Sequence, residues 1–226
     1  MLKKWLSYLI PINIKTEKSD WSKTLEVTWA NGELVLDSAH TNYSYGSLQR
    51  ILRIGLLKIG FERITKMNHI LVLGVAGGSV IKTLTNEIRY KNKITGVEID
   101  AQVVEIAKKY FALDTVPNFE LVLDDAFEFV LKTKEKYDLI IIDIFQDTKM
   151  PNFLFEAFYT NRLLEILEPN GMFLFNTMCL SDTDNKRNKT YLELFDKNRV
   201  HVQTIPRIEA HNELIIVEKL RNHATS

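Results

Sequence analysis

From residue 69 onward, short apolar runs alternate with stretches in which apolar residues recur every three or four positions. The runs are typical of strands, and the stretches are typical of amphipathic helices. The segment 139–142 is apolar at every position, which favours a parallel strand covered on both faces. We predict strands at 69–73, 94–98, 119–123, 138–143 and 171–176, and helices at 78–90, 101–111, 125–134 and 153–167.

The C-terminal part of the chain continues this pattern with a change. A helix is predicted at 184–198, followed by strands at 200–206 and 213–219. The polar turn 209–212 between these strands is short, which favours an antiparallel pair rather than another crossover. The whole alternation predicts an α/β fold built on a largely parallel sheet.

The leading part of the chain indicates a smaller unit that contains β-structure. Asn31-Gly32 is a strong signal for a tight turn, and the segments around it predict a β-hairpin over 24–37. A helical pattern over 46–60 ends on a glycine and would link the hairpin to the α/β domain. We predict two units, a hairpin with its linking helix at 1–66 and the α/β domain at 67–226.

Composition constrains partners and location. The 29 basic and 29 acidic residues cancel, so no bulk charge attracts nucleic acid or an anionic membrane. The single cysteine, Cys179, cannot form an internal disulfide, which fits a reducing cytosol. The apolar segment 1–10 is too short for a signal peptide and is expected to pack on the protein or support a dimer. We expect a soluble, cytoplasmic protein that binds neither nucleic acid nor membrane.

The most informative motif is the glycine turn after the strand at 69–73. It consists of Gly74, Val75, Ala76, Gly77 and Gly78. Such a turn lets the backbone approach a bound nucleoside. A dinucleotide fingerprint needs a second glycine beside the pyrophosphate, and alanine stands in that place. The turn therefore favours a nucleoside without a pyrophosphate, such as a thioether or a sulfonium. A tight turn that binds nothing is the alternative.

Glu98 ends the strand at 94–98, 24 positions after Gly74. An acid at this distance hydrogen-bonds the ribose in nucleotide-binding α/β domains, with Ile99 beside it. An acid at the end of a buried strand needs hydrogen-bond donors, and two ribose hydroxyls would supply them. Asp100 directly precedes a helical pattern, so we interpret it as a helix cap.

Two further carboxylates would face the same crevice. Asp125, with Ala126 beside it, would accept a hydrogen bond from an adenine amino group. Helix capping by Asp124 or Asp125 is the alternative. Asp143 ends the apolar strand at 138–143 and is the candidate base for an attacking nucleophile. A structural Asp143, satisfied by backbone amides, is the alternative.

Five ordered motifs resemble the spermidine synthase-like branch of the class I S-adenosylmethionine-dependent transferases. They are Leu-Val-Leu-Gly at 71–74, Val-Glu-Ile-Asp at 97–100, Asp-Asp-Ala-Phe-Glu-Phe at 124–129, Tyr-Asp-Leu-Ile-Ile-Ile-Asp at 137–143 and Leu-Glu-Pro-Asn-Gly at 167–171. The resemblance implies a seven-stranded Rossmann-like sheet with an antiparallel last strand, a small N-terminal β-domain and a homodimer. It also implies that Glu98 binds ribose, Asp125 faces adenine and Asp143 lies at the reaction centre.

The chain departs from the family pattern in the polyamine pocket. Aminopropyltransferases of this branch carry an acid at the position of Gly77, and that acid holds the amine of the transferred aminopropyl group. Gln146 replaces a second acid, with Asp147 next to it, and Tyr45 is followed by glycine and serine instead of two larger polar residues. Each charge-assisted hydrogen bond is worth about 1.5–3 kcal/mol, so the loss of several would weaken polyamine binding by orders of magnitude.

We therefore predict an S-adenosylmethionine-dependent methyltransferase with a small-molecule or peptidyl acceptor. Asp143 would be the base, and Tyr45, Phe145 and Asp147 would lie in the substrate pocket. A divergent aminopropyltransferase using decarboxylated S-adenosylmethionine and an inactive nucleoside-binding homologue are the alternatives. No metal site is predicted, because ligand spacing is missing among Cys179 and the histidines at 40, 69, 201, 211 and 223.

Overall fold

The computed structural model describes residues 2–38, 42–44, 47–145 and 149–221. Its leading part is a short helix and a four-stranded antiparallel sheet, with the strands in chain order. The elements are α1 Leu2–Leu6, β1 Ile12–Ser19, β2 Lys23–Ala30, β3 Glu33–Ser38 and β4 Asn42–Ser44. The hairpin prediction is confirmed by β2 and β3. The two outer strands were not predicted, because β1 is polar and largely exposed and gives no clear alternation.

The rest of the described chain alternates helices with strands. The helices are α2 Ser47–Ile59, α3 Phe61–Thr65, α4 Ser79–Lys82, α5 Ala101–Phe111, α6 Ala126–Lys132, α7 Ala157–Glu165 and α8 Asp182–Leu192. The strands are β5 His69–Leu73, β6 Lys93–Glu98, β7 Phe119–Leu123, β8 Tyr137–Ile142, β9 Leu167–Met178, β10 Val200–Ile208 and β11 Asn212–Lys219.

These seven strands form one sheet in the order β10-β11-β9-β8-β5-β6-β7. Strands β5 to β9 pair in parallel with their neighbours, whereas β11 runs antiparallel to both β9 and β10. The predicted Rossmann-like sheet with an antiparallel last strand is therefore confirmed. β5 pairs with β6 on one side and with β8 on the other, so the strand order reverses at β5. The chain runs outward through β6 and β7 and then crosses back to β8. Ligands of open α/β sheets bind in the crevice at such a point.

Both faces of this sheet are buried, as the apolar strands predict. Residues 139–142 of β8 are at most 1% exposed. Alternate residues of the central strands contribute to two separate core clusters. One cluster includes apolar residues of α2 and α4, and the other includes apolar residues of α7 and α8. Hydrophobic burial on both faces thus fixes the strand ends that form the crevice.

The small N-terminal sheet packs on the outer side of α5. Leu25, Val27 and Leu36 of the sheet form a core cluster with Val103 and Phe111 of α5, among others. The hydroxyl of a serine at the end of β1 also donates to the carboxylate of Asp100, at the start of α5. The division into units at 1–66 and 67–226 stays a prediction.

Two predicted helices differ from those observed. The helix expected at 78–90 is interrupted by a π-helical turn at Thr83–Glu87. The Thr83 and Thr85 hydroxyls donate to carbonyls one turn earlier, a bond that tends to bend helices.

The helix expected at 153–167 is a 3-10 turn, Asn152–Phe155, followed by α7. It ends early because Leu167 already pairs with Tyr137 of β8. The last predicted helix, 184–198, is placed at Asp182–Leu192. Within the described ranges, no helix is long and apolar enough to cross a membrane.

Candidate active site

Gly74 brings the glycine turn against the end of β8. Its φ of +86° lies in the left-handed region, which favours glycine. The N–H of Asp143 donates to the carbonyl of Leu73 at an N···O distance of 2.9 Å. A Cβ atom at position 74 would overlap the backbone carbonyl of Asp143. Packing of β5 against the end of β8 therefore requires this glycine whether or not a ligand binds.

The rest of the turn is compact. The Val75 side chain is buried in the core cluster that includes α2 and α4. Ala76 has a φ of +47°, and Gly78 has a φ of +77° directly before α4. Gly77 is buried between them. The residue that replaces the second fingerprint glycine, Ala76, thus itself adopts a left-handed backbone conformation.

Glu98 accepts four backbone hydrogen bonds. Its Oε2 accepts from the N–H groups of Val75 and Ala76 at 3.2 and 3.0 Å. Its Oε1 accepts from those of Ile99 and Asp100 at 2.9 and 3.1 Å. The predicted need of Glu98 for hydrogen-bond donors is thus met by the backbone of the protein itself.

Glu98 lies at the crevice edge of the sheet, close to the glycine turn. The carboxylate lies at the carboxyl end of β6 and is partly exposed. Burial raises the pKa of this carboxyl, and the hydrogen bond from Ala76 acts in the opposite direction. The ribose role of Glu98 stays a prediction.

Asp100 and Asp125 both cap helices. Asp100 accepts at Oδ1 from the N–H of Gln102 at 2.8 Å, which confirms its interpretation as a cap. Asp125 accepts at Oδ1 from the N–H of Phe127 at 2.7 Å. The capping alternative for Asp125 thus holds, and a contact between its other oxygen and adenine stays a prediction. Neighbouring Ala126 accepts at its carbonyl from a tyrosine hydroxyl of α7.

Asp143 follows β8 at the crevice and is only partly exposed. Its Oδ1 accepts from Nδ2 of Asn176 in β9 at 2.9 Å. Burial raises the pKa of Asp143 to about 7, and the hydrogen bond from Asn176 opposes that rise. At neutral pH the carboxyl group is thus poised to hold or release a proton. Among the described residues, the donor to this carboxyl group is a side-chain amide, and the alternative of an Asp143 satisfied by backbone amides stays open.

The substrate-pocket residues are placed only in part. Phe145 is half-buried and packs on the core cluster that includes α7 and α8. Tyr45 and Asp147, like Gln146, lie outside the described residues. Their roles stay predictions.

Sequence reasoning missed Asn176, which is fully buried beside Asp143. Its own Oδ1 accepts from Nδ2 of Asn212 at 2.9 Å. The signal in the sequence was an amide at the end of the apolar run 172–175, because a buried polar side chain needs hydrogen-bond partners.

The fold and the crevice define a Rossmann-like α/β domain with a glycine turn and acids at its carboxyl edge. A family model described as the spermine/spermidine synthase domain matches residues 54–217. The match covers more than half of the chain, which therefore belongs to the spermine/spermidine synthase family. The resemblance inferred from the five sequence motifs is confirmed.

The relatives of this chain include a polyamine aminopropyltransferase and a methyltransferase homolog. A polyamine aminopropyltransferase of Buchnera aphidicola subsp. Acyrthosiphon pisum (strain Tuc7) is 29% identical over 150 residues, covering 62% of this chain and 51% of the relative. An eEF1A lysine and N-terminal methyltransferase homolog of Drosophila melanogaster is 26% identical over 146 residues, covering 56% of this chain and 21% of the relative. This chain therefore spans about half of the first relative and about a fifth of the second.

The fold is also shared with a solved methyltransferase structure. The structure of human Methyltransferase-like protein 13 in complex with SAH has a TM-score of 0.64 to this chain at 21% identity. The match covers 80% of this chain and 85% of that one. The family implies S-adenosylmethionine or its decarboxylated form as the bound nucleoside.

Proposed function

We propose that this protein is an S-adenosylmethionine-dependent methyltransferase that deprotonates its acceptor with Asp143. The observation that carries the proposal is the setting of that carboxyl group. It is partly buried, and it accepts a hydrogen bond from the neutral side chain of Asn176. Burial raises its pKa to about 7. Such a group can take a proton from a neutral nucleophile.

The proposed roles of the other residues follow from their positions. The glycine turn 74–78 would hold the nucleoside, with Glu98 at the ribose and Asp125 and Ala126 beside the adenine. S-adenosylmethionine supplies an electrophilic methyl carbon on its sulfonium. The chain would then need only to align the acceptor and to remove its proton, which are positioning and base catalysis. Phe145, Tyr45 and Asp147 would contact the acceptor, a small molecule or a peptide.

Aminopropyl transfer is the second candidate, because a polyamine aminopropyltransferase is among the relatives. Against it, the glycine turn carries Gly77 where those enzymes place an acid for the aminopropyl ammonium. Decarboxylated S-adenosylmethionine has that ammonium and lacks the carboxylate of the parent molecule. The two candidates therefore predict opposite preferences for the two nucleosides.

Calorimetric titration of the purified protein with both nucleosides tests the proposal. We expect S-adenosylmethionine to bind more tightly than its decarboxylated form. An Asp143→Asn variant should bind S-adenosylmethionine with similar affinity, since Asp143 is assigned to the acceptor. A clear preference for the decarboxylated nucleoside would overturn the methyltransferase proposal, and binding of neither would overturn the nucleoside site.

A further inference from the structure

Behind Asp143, two asparagine side chains form a continuous chain of hydrogen bonds. Nδ2 of Asn212 donates to Oδ1 of Asn176 at 2.9 Å, and Nδ2 of Asn176 donates to Oδ1 of Asp143 at 2.9 Å. Asn176 has no exposed surface, whereas Asn212, the first residue of β11, is partly exposed. The chain of amides therefore runs from the start of the antiparallel strand to the candidate base.

The hydrogen bonds between these side chains all run in one direction, from donor to acceptor, toward Asp143. A side-chain amide has one accepting oxygen and one donating NH2 group. Because Asn212 donates to the oxygen of Asn176, the NH2 group of Asn176 faces Asp143. That group can only donate, so Oδ1 of Asp143 must accept. Among the described residues, none donates a hydrogen bond to Oδ2 of Asp143.

We propose that Asn176 and Asn212 are positioning residues that reserve Oδ1 of Asp143 as a hydrogen-bond acceptor and leave Oδ2 to receive the proton of the acceptor substrate. This inference rests on the proposed function. The N–H or O–H bond of the acceptor breaks, and its proton bonds to Oδ2. The electron pair left on the acceptor forms the bond to the methyl carbon. The C–S bond breaks, and its electron pair stays on sulfur.

The reversed direction would disable the base. If Asn176 turned its oxygen toward Asp143, the carboxyl group would have to be protonated in order to donate to it. Asn212 opposes this, because its NH2 group donates to that oxygen. Burial raises the pKa of Asp143, and the hydrogen bond from Asn176 lowers it. The titration of Asp143 therefore reports directly on the orientation of the amide.

The test is an NMR titration of protein labelled with ¹³C at the aspartate side-chain carboxyl, with Asp143→Asn to assign the signal. In Asn212→Asp the new carboxylate can only accept, so Asn176 should turn its NH2 group toward it. We expect the proton affinity of Asp143 to rise tenfold or more, roughly one pKa unit. Asn212→Ala, which removes the donor without adding charge, should give a smaller rise of about two- to fivefold.

A second pair of variants separates amide orientation from simple charge repulsion. Asn176→Ala removes the amide that transmits the effect, so adding Asn212→Asp to it should raise the proton affinity of Asp143 by less than about twofold. A rise as large as in the single Asn212→Asp variant would mean charge repulsion and would overturn the proposal. An unchanged titration in both single variants of Asn212 would overturn it as well.

This titration needs no cofactor and no turnover, so its outcome is independent of the proposed function. If nucleoside binding fails while the Asn212 variants shift the titration, the amide chain stands and the methyltransferase proposal falls. If Asn176→Ala does not fold, the two single variants of Asn212 still test the proposal. Asn212 lies partly exposed at a strand end, so its replacement is expected to preserve the fold.

Discussion

The backbone N–H of Ala76 donates to Oε2 of Glu98 at 3.0 Å. This bond, with the one from Val75 at 3.2 Å, ties the glycine turn to the end of β6. The same oxygen is the one that a ribose hydroxyl would approach in the proposed function. A ribose hydroxyl bound at this oxygen would therefore have to share it with the two backbone N–H groups or displace them.

We predict that Glu98→Gln lowers the affinity for S-adenosylhomocysteine about 10- to 100-fold, because hydrogen bonds to a charged group are worth about 1.5–3 kcal/mol. The variant should also lower the melting temperature, since an amide nitrogen cannot accept from two of the four backbone N–H groups. Isothermal titration calorimetry and thermal unfolding measure the two effects.

Glu105→Gln is the matched control for this prediction. Glu105 lies on α5 with a side chain that is 73% exposed, and it contacts only Lys108 at 3.9 Å among the ion pairs described. Both affinity and melting temperature should stay unchanged. A Glu98→Gln protein that melts early and yet binds the nucleoside with full affinity would show that Glu98 is purely structural.

Gly74→Ala is expected to lower the free energy of unfolding by about 2–5 kcal/mol, from a left-handed backbone and an overlap with the Asp143 carbonyl. Gly60→Ala is its control. Gly60 also has a positive φ, +102°, but an added Cβ would meet its nearest atom at 3.9 Å. That variant should lose only the backbone part, about 1–2 kcal/mol. Denaturant unfolding measures both, and equal losses would contradict the overlap.

The hydrogen bond from Ser19 to Asp100 is predicted to couple the small sheet to the α/β domain. Ser19→Ala and Asp100→Ala should each be destabilising, and the double variant should lose less than the sum by about 1–3 kcal/mol. Asp125→Ala removes another helix cap that has no contact with Ser19, so its loss should simply add to that of Ser19→Ala. Additive losses for Ser19 and Asp100 in denaturant unfolding would refute the coupling.

The sheet could be predicted because its signals are local or periodic. Apolar runs such as 139–142 must be covered on both faces, and adjacent strands joined by a short turn must be antiparallel, because a parallel pair needs a long crossover. The small sheet was only half predicted. Its first strand, β1, is held by pairing with β2 and by contacts at α5, 80 or more positions away in the chain. The polar, largely exposed sequence of β1 does not indicate these contacts.

At the crevice, the positions of Gly74, Glu98 and Asp143 could be predicted from strand ends, but their partners could not. The backbone donors to Glu98 could not be predicted, because the sequence does not show that the glycine turn folds back onto this carboxylate. Asn176 was missed because its partners, Asp143 and Asn212, lie 33 and 36 residues away. Such tertiary contacts follow from strand order, which the sequence shows only in outline.

His69 is predicted to make the stability of the protein depend on pH. It is 8% exposed, and its Nε2 lies 2.9 Å from the hydroxyl oxygen of Thr95. Burial lowers the pKa of His69 from its usual 6.5, and Lys93 adds to the shift. Because the unfolded chain then binds the proton more readily than the folded one, the stabilisation is complete above about pH 6.5. This stabilisation is lost as the pH falls from about 6.5 toward the lowered pKa of the folded state.

His69→Gln, which cannot titrate, should flatten the fall in unfolding free energy between about pH 7 and pH 5, measured by denaturant unfolding. His201→Gln, at an exposed position of β10, should leave the wild-type slope intact, and an unchanged slope in His69→Gln would refute the assignment.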